Sequence, residues 1–395
     1  MIIRHLASES ERQEYKKIHD IAIGANYGGM LFPDEHYPYE NIFGYFSGDK
    51  LASALFVIDY DEIKIRNKLF RMGGIEGVVT APGYRGRGLA KELFHHVFKE
   101  LNERKQFLSV LFPISHAFYE RLGYGLADEH VFYQFELDNI KRKKYPNRTF
   151  KMVQEITDDI KFIYNEATKR FNYIAHRFES QWKLKKEQSD FIYVCYNEEN
   201  KPVGYCCLKF LKDHYLFQHP LETLHVPEVF WVDRSTKHAF IQDFLYSFRD
   251  QRKYGSIVLP LNENLIELFH NPITQVRTIK PSSRIRIVNA EEVLSQLSFN
   301  AHDFSLIVRI HDEVCDWNNI TVRIESANGK TVLINDNAAH VADLELDITS
   351  LAQLFVGSRS INELMEFQKA QVKPGMIHLV DKMFPKQNNF FRDFF

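Results

Sequence analysis

Apolar positions in the first 125 residues follow two periods, one of two residues and one of three to four. The first predicts strands and the second predicts helices. The predicted elements are a helix at 10–24, strands at 42–47, 51–59, 63–66 and 70–80, a helix from Gly88 to about Lys105, a buried strand at Phe107–Phe112 and a short helix at Ser115–Leu122. The longer helix carries an apolar stripe made of Leu89, Ala90, Leu93, Phe94, Val97, Phe98 and Leu101.

The same order of elements returns after residue 150. The predicted elements are strands at Phe191–Tyr196, Val203–Leu211 and Val229–Val232, a helix at 235–252, a strand at Ser256–Pro260 and a helical segment at Glu263–Phe269. Because both halves show strands, a helix, a strand and a short helix, the sequence indicates a duplicated domain. The second copy reads FWVDRSTKHAF where the first reads VVTAPGYRGRGLAK, so the glycine-rich element is missing from it.

A third unit is predicted to begin near Arg284. Strands follow at 303–311, 320–325 and 330–334, and the chain closes with a mostly helical segment and the aromatic tail FFRDFF, Phe390–Phe395. The pattern as a whole predicts an α/β (α+β) protein with mixed sheets flanked by helices. At 395 residues the chain is too long for one compact core, which also favours two or three domains.

Composition excludes several classes of protein. The net charge of −2 argues against a broad basic surface for nucleic acid, and the basic run at 141–144 is interpreted as a solvated turn. No apolar run is long enough to cross a membrane, and the N-terminus lacks the apolar core of a secretory signal. The four cysteines show no CxxC spacing, and the adjacent His95 and His96 point in different directions on a helix. We expect a cytoplasmic protein without a metal.

The stretch 78–91 places two glycines and two arginines between a predicted strand and a predicted helix. The first turn of a helix leaves about four N–H groups without internal partners, and the helix dipole adds positive charge there. Such an end binds phosphate if close approach is possible, which Gly86 and Gly88 allow. Arg85 and Arg87 add charge and fixed donor geometry. The stretch matches neither GxxxxGK[ST] nor GxGxxG, but it predicts a site for a phosphorylated cofactor.

The same turn also matches the pattern R-x-x-G-x-A, and residues 116–125 downstream read HAFYERLGYG. Together with the order of the strands, these residues resemble the GNAT superfamily of N-acetyltransferases. An intact GNAT domain, a degenerate second one, a C-terminal domain and a final Phe resemble the Eis ("enhanced intracellular survival") acetyltransferase family. The resemblance covers essentially the whole chain and is strongest at 78–125. It implies a catalytic GNAT domain at 1–148, a degenerate GNAT domain at 149–283 and a sterol-carrier-like domain at 284–395.

In the GNAT family the strand before the turn carries a bulge and splays from its neighbour, and the pantetheine of acetyl-CoA pairs into the gap. The resemblance therefore implies acetyl-CoA as co-substrate, with its pyrophosphate on the amides of the turn. The implied contacts are Val78, Val79, Thr80, Arg85, Gly86, Arg87, Gly88, Leu89, Ala90, Lys91, Ile114 and Ser115. The alternative interpretation is a core strand followed by a surface turn.

Direct transfer of acetyl to an amine requires removal of a proton from the ammonium and protonation of the departing thiolate. The resemblance implies Tyr119 as proton donor, and Tyr124 is the candidate for a packing role instead. It implies the terminal carboxylate of Phe395 as proton acceptor, against the alternative of a frayed tail. Glu76, two residues before Val78 and expected on the same strand face, is the alternative base.

The resulting hypothesis is an acetyl-CoA-dependent N-acetyltransferase that acts on a cationic amine such as an aminoglycoside, a polyamine or a lysine side chain. Asp34 and Glu35 are candidate acceptor contacts, or else solvated loop charges. The second domain is expected to bind no acetyl-CoA, and the resemblance implies a homohexamer. The alternatives are transfer of a longer acyl group and a non-catalytic lipid or sterol carrier with the GNAT repeats as scaffold.

Overall fold

The computed structural model describes residues 2–24, 38–210, 223–299, 303–327, 330–335 and 341–393. Contacts divide the described chain into two compact units. The first unit contains the residues up to Asp128 together with Ser282–Gln387, and the second contains Glu129–Pro281 and Asn388–Asp393. The second unit is therefore inserted in sequence between two parts of the first, and the last described residues belong to the second.

The described strands, in chain order, are β1 (Ile2–His5), β2 (Ile42–Ser47), β3 (Lys50–Ile65), β4 (Lys68–Thr80), β5 (Leu108–Leu111), β6 (Gly125–Leu126), β7 (Glu129–Glu136), β8 (Arg148–Val153), β9 (Ile174–Ala175), β10 (Phe191–Asn197), β11 (Pro202–Phe210), β12 (Thr223–Trp231), β13 (Tyr254–Pro260), β14 (Val276–Pro281), β15 (Arg284–Ile287), β16 (Phe304–His311), β17 (Ile320–Ala327), β18 (Lys330–Asn335), β19 (Leu344–Asp347) and β20 (Ala370–Val372).

The described α-helices, in chain order, are α1 (Glu9–Ile23), α2 (Leu89–Glu103), α3 (His116–Glu120), α4 (Asp158–Thr168), α5 (Glu179–Glu187), α6 (Arg234–Ala239), α7 (Ala290–Ser295), α8 (Ile348–Val356), α9 (Ile361–Glu366) and α10 (Ile377–Met383).

The main sheet of the first unit has the order β1-β2-β3-β4-β5-β15-β6. Only β4 and β5 run parallel among these neighbours, and the other pairs are antiparallel. The apolar stripe predicted for α2 packs on this sheet, since Leu93, Phe94, Val97 and Phe98 are fully buried there. The periodicity of this helix thus sets its position against β4, directly after the glycine-rich turn.

The sheet of the second unit has the order β14-β7-β13-β12-β11-β10-β8, and again a single pair of neighbours, β12 and β13, is parallel. A helix, α6, follows β12 as α2 follows β4. The helix expected at 235–252 differs, because α6 ends at Ala239 and continues as a wider π-helical turn over Phe240–Phe244 and a tighter 3₁₀ turn over Leu245–Phe248. Both units therefore have antiparallel strands around one parallel pair.

The C-terminal part of the first unit has its own sheet, β18-β17-β16-β19-β20, with α7 to α10. Two arginines connect it to the preceding strands. Arg66, in the turn between β3 and β4, donates to the backbone carbonyls of Leu354, Phe355 and Pro385. Arg286 of β15 is fully buried and donates to Asp312 at 2.6 Å. Because β15 itself pairs with β5 and β6, the predicted start of the third domain lies within the first sheet.

Candidate active site

The turn between β4 and α2 has the conformation that its glycines allow. Gly86 and Gly88 have φ of +75° and +79°, a region that residues with a Cβ enter only at a cost. Gly88 is the N-cap residue of α2, and no side chain caps this end among the described residues. A Cβ added at Gly86 or Gly88 would meet no atom of the described residues within 4 Å, so these residues leave the space beside both glycines open. The turn therefore leaves backbone N–H groups accessible to an anion.

The two arginines of the turn are exposed, and each is held by a backbone carbonyl. Arg85 donates from Nε to the oxygen of Thr80 at 3.1 Å, and Arg87 donates from Nη2 to the oxygen of Gly83 at 3.0 Å. These bonds use one nitrogen of each guanidinium, and the other nitrogens remain as donors in the exposed turn. Positive charge is therefore concentrated at the uncapped helix end.

Strand β4 carries a bulge just before the turn. Its pairing with β3 passes from Phe56–Glu76 to Ala54–Val79, so that two residues of β4, Gly77 and Val78, lie opposite one residue of β3. Gly77 has φ of +58°, the left-handed conformation of a glycine bulge. On its other side, β4 pairs with β5 only through Met72–Ile75. Among the described residues, β4 has no strand partner on this side over 76–80.

Hydrogen bonds made by the hydroxyls of Tyr15 and Ser53 fix the bulge. The Tyr15 hydroxyl of α1, which is buried, donates to the carbonyl of Gly77 at 3.0 Å. On β3, the Ser53 hydroxyl donates to the carbonyl of Val79 at 2.8 Å and lies 2.9 Å from the Thr80 hydroxyl. Sequence reasoning missed Tyr15, since nothing in its local pattern points to a strand 62 residues away. A glycine inside the strand pattern was the available signal for the bulge.

The bulge also corrects the expected position of Glu76. The sequence predicted that Glu76 and Val78 share a face, as residues two apart in a regular strand do. In the structure Val78 packs against the apolar cluster that contains α2. Glu76 instead lies near Tyr15 of α1: burial raises the pKa of Tyr15, and the charge of Glu76 raises it further. The extra residue in the bulge separates the two faces. Glu76 itself is 8% exposed.

Tyr119 lies on α3, the short helix that follows β5. It belongs to the same apolar cluster as Val78, so the structure brings the predicted donor and the bulge into one cluster. Its ring contacts Phe94 and Phe118, with centroids 6.0 and 5.0 Å away. Burial raises the pKa of Tyr119 to about 12. Among the described residues, none is hydrogen-bonded to the Tyr119 hydroxyl, so the phenol is protonated at neutral pH and its proton is not engaged there.

Tyr124 has a different environment. It is fully buried, and its hydroxyl lies 2.7 Å from the Ser109 hydroxyl. Burial raises its pKa above that of Tyr119, since the hydrogen bond to Ser109 opposes burial only in part. Tyr124 is therefore a satisfied core residue, which is the role that the sequence offered for it.

Hydrogen bonds from two basic side chains, Arg284 and Lys369, hold α3 in place. Arg284 of β15 donates from Nε to Nδ1 of His116 at 3.0 Å and from Nη1 to the carbonyl of Tyr124 at 2.5 Å. The Lys369 ammonium donates to Glu120 at 2.6 Å. Burial opposes the charge of Glu120, but Lys369 and Arg284 lower the pKa of this carboxyl below its usual value. These partners are more than 160 residues from α3 along the chain, so sequence patterns gave no sign of them.

The other predicted site residues lie as follows. Ile114, just after β5, is 81% exposed, and the exposed Ser115 is the N-cap residue of α3. Phe395, Asp34 and Glu35 lie outside the described residues. In the region that the structure describes, no group of three or more His, Cys, Asp or Glu side chains is arranged to hold a metal, and no helix has the length and apolarity needed to span a membrane.

In the second unit a side chain caps the N-terminus of the equivalent helix, α6. Asp233 is the N-cap residue of α6, and its carboxylate accepts from the backbone N–H of Thr236 at 2.7 Å. The same carboxylate pairs with Arg148 at 3.3 Å. A carboxylate thus occupies the position in front of the helix that Gly88 leaves open in the first unit.

Three known domain families match this chain. Residues 3–127 match an acetyltransferase (GNAT) domain, residues 173–287 match a second acetyltransferase (GNAT) domain model, and residues 290–392 match a sterol carrier protein domain. The chain carries two GNAT acetyltransferase domains and a sterol carrier protein domain. The matches confirm the predicted fold class and the prediction of an acetyltransferase enzyme. They also place the open turn, the bulge and Tyr119 in the first GNAT domain.

Solved structures share the arrangement over the whole chain. A probable N-acyltransferase from Enterococcus faecalis V583 has 20% identity and a TM-score of 0.85, covering 100% of this chain and 99% of that one. A GCN5-related N-acetyltransferase from Anabaena variabilis has 19% identity and a TM-score of 0.86, and Eis1 from Mycobacterium abscessus has 16% and 0.80, each covering 100% of both chains. At these identities the likeness shows the fold. A comparison with curated protein sequences found no significant match.

Proposed function

We propose that the first GNAT domain transfers an acetyl group from acetyl-CoA to a primary amine of a cationic molecule. The observation that carries the proposal is the open end of α2. Two left-handed glycines, two exposed arginines and an uncapped helix N-terminus follow a strand whose bulged edge is unpaired on the β5 side. This combination supports binding of a pyrophosphate at the turn and of an extended pantetheine along the edge of β4.

In this proposal transfer is direct. The amine nitrogen forms a bond to the carbonyl carbon of the thioester, and the bond from that carbon to sulfur breaks. A backbone N–H at the Gly77–Val78 bulge stabilises the negative charge that develops on the carbonyl oxygen. Tyr119 gives its proton to the departing thiolate, a role that suits a phenol whose pKa is about 12, and it regains a proton when the nitrogen loses its second one to become an amide.

The amine arrives as an ammonium and has to lose a proton before it attacks. We propose the terminal carboxylate of Phe395 as the acceptor of this proton, as the resemblance to the Eis family implies. Glu76 remains the alternative base within the described residues. A tag fused to the C-terminus separates the two, because it removes the terminal carboxylate and leaves Glu76 in place. Loss of turnover with intact acetyl-CoA binding supports Phe395, and unchanged turnover rules it out.

The acceptor classes that fit the proposal are aminoglycosides, polyamines and lysine side chains, with Asp34 and Glu35 as candidate contacts. Cytoplasmic location and a homohexamer remain predictions from the sequence.

The experiment is release of CoA thiol from acetyl-CoA over a panel of these amines, with untagged protein. Amine-dependent release supports the proposal and identifies the acceptor class. Release only from a longer acyl-CoA would replace acetyl by another acyl group. Binding of a fatty acid or sterol with no release from any acyl-CoA would instead favour the lipid carrier.

A further inference from the structure

The peptide group between Gly77 and Val78 lies in the bulge of β4. Its carbonyl belongs to Gly77 and its N–H belongs to Val78, and in a planar trans peptide these two groups point in opposite directions. A contact that fixes the direction of the carbonyl therefore also fixes the direction of the N–H.

The ladder between β3 and β4 shows where this N–H points. The N–H of Ala81 donates to the carbonyl of Ala52 at 2.9 Å, and Val79, two residues earlier, pairs with Ala54. Hydrogen-bonded pairs recur at every second residue of an antiparallel ladder, so the polar backbone groups of Val79 face β3. Those of Val78, the residue before, face the other edge of β4. On that edge this part of β4 has no strand partner among the described residues.

The carbonyl of the same peptide is bonded to a side chain. The Tyr15 hydroxyl of α1 donates to the carbonyl of Gly77 at 3.0 Å, and a carbonyl oxygen only accepts, so the phenol is the donor. Burial raises the pKa of Tyr15 well above its ordinary value, and the charge of Glu76 raises it further. The hydroxyl therefore keeps its proton at neutral pH and remains a donor.

The ring of Tyr15 is fixed by packing. It is 2% exposed and lies in an apolar cluster with Leu6, Ile18 and Val79, among others. A ring held in this way places its hydroxyl at a defined point. The hydrogen bond from this point restricts rotation of the peptide that follows Gly77.

The bulge depends on such a contact, because its own backbone does not fix it. Gly77 has φ of +58°, and a glycine populates a wide range of conformations. A hydrogen bond to the carbonyl also polarises the whole peptide group, which makes its N–H a stronger donor. Tyr15 therefore affects both the direction and the strength of the Val78 N–H.

We propose that Tyr15 is a positioning residue for acyl transfer: its bond to the Gly77 carbonyl orients and polarises the N–H of Val78, which donates to the thioester carbonyl of bound acetyl-CoA. This inference rests on the proposed function, in which a backbone N–H at the bulge stabilises the charge that develops on that oxygen. It assigns the role to one N–H and to the side chain that holds it.

The test is the carbonyl stretching band of acetyl-CoA labelled with carbon-13 at the thioester carbonyl, recorded by infrared difference spectroscopy on the untagged full-length protein. A hydrogen bond to a carbonyl lowers the frequency of this band. We expect the band of bound acetyl-CoA to lie below that of free acetyl-CoA in the wild type, and to move back towards the free value in Tyr15→Phe. This measurement requires no amine acceptor.

Turnover gives the second readout. Complete loss of an oxyanion donor costs about 10²- to 10³-fold, so a donor that is present but less well oriented should lower kcat by about tenfold to a hundredfold in Tyr15→Phe. The Kd for acetyl-CoA should change by less than about threefold, because the charge on the oxygen develops only in the transition state.

Tyr133→Phe is the matched control. Tyr133 lies on β7 of the second unit, is 1% exposed, and donates from its hydroxyl to the backbone carbonyl of Glu263 at 3.1 Å. Both variants remove a buried hydroxyl from a backbone carbonyl, so both should lower the urea-unfolding midpoint. Only Tyr15→Phe should change kcat and the infrared band. Equal changes of kcat in the two variants would overturn the positioning role.

The infrared band separates the possible failures. A wild-type band at the frequency of free acetyl-CoA would contradict the proposed function, since no donor would then reach the thioester carbonyl. A lowered band that Tyr15→Phe leaves in place would overturn the role of Tyr15 alone. Should Tyr15→Phe not fold, Tyr15→3-fluorotyrosine decides, because it keeps the ring and makes the hydroxyl a stronger donor. The band should then move further from the free value, and an unchanged band would overturn the inference.

Discussion

Replacement of Tyr119 by Phe removes one oxygen atom from the candidate active site. Among the described residues nothing is hydrogen-bonded to that oxygen, so its loss should change the free energy of unfolding by less than about 1 kcal/mol. The effect on catalysis should be much larger. General acid catalysis contributes about 10²- to 10⁴-fold, and we therefore expect kcat to fall by that factor, or about 3 to 5 kcal/mol in activation free energy.

Tyr124→Phe is the matched control, because it removes the same atom from a neighbouring tyrosine whose ring centroid lies 6.1 Å from that of Tyr119. Its hydroxyl is paired with Ser109, so this change leaves a buried hydroxyl without a partner and should cost about 1 to 3 kcal/mol of stability. Its kcat should remain close to that of wild type.

The assay is amine-dependent release of CoA thiol, with Kd for acetyl-CoA and the urea-unfolding midpoint measured on the same preparations. We expect Tyr119→Phe to lose catalytic rate and Tyr124→Phe to lose stability. Turnover by Tyr119→Phe within threefold of wild type would refute Tyr119 as the donor. Equal loss of rate in both variants would mean that the tyrosines act through packing.

Four further outcomes follow from the structure. Gly88→Ala should weaken acetyl-CoA binding by about tenfold. Gly48→Ala is the control, because Gly48 has a similar φ of +61° and equally open space among the described residues; it should show the same backbone strain of about 1 kcal/mol and leave acetyl-CoA binding intact. Titration calorimetry measures the acetyl-CoA affinity of both variants. Asp233→Asn keeps a cap acceptor for α6 but removes the charge that faces Arg148 and the helix N-terminus, so it should lose at most about 1 kcal/mol of stability and no activity per folded molecule, and reduced turnover at full folding would contradict this. Arg66→Ala removes a charged donor from three backbone carbonyls, of which those of Leu354 and Pro385 keep a second donor, and should lower the free energy of unfolding by about 2 kcal/mol in a denaturant titration, with Arg66→Lys as the milder control. Because the pKa of Tyr119 is about 12 when folded and 10.0 ordinarily, folding stability should fall as pH rises from about 10 to 12, by up to about 3 kcal/mol, and Tyr119→Phe should show a smaller fall.

The parts of the candidate site that depend on residues close together in the sequence could be predicted. The stripe of α2 follows from the spacing of its apolar residues, and the left-handed turn before it follows from Gly86 and Gly88. These two features adjoin in sequence, so their combination at one helix end required no knowledge of the tertiary structure. Tyr119 followed from a resemblance in a nearby segment.

Features that depend on distant partners were not predictable. The bulge at Gly77 put Glu76 and Val78 on different faces, a result that strand alternation alone cannot give. The strand at Arg284 pairs with β5, about 170 residues earlier, and no local pattern selects one sheet over another for a short buried strand. The contact between Arg177 and Asp393 joins residues 216 apart, and both look like ordinary surface charges in the sequence.

The central claim is that the first GNAT domain binds acyl-CoA and the second does not. Isothermal titration of the untagged full-length protein with acetyl-CoA tests it most directly. We expect one molecule bound per chain, with binding weakened by Gly88→Ala and unaffected by Asp233→Asn. Two molecules per chain, or a single site that responds to Asp233→Asn and not to Gly88→Ala, would contradict it.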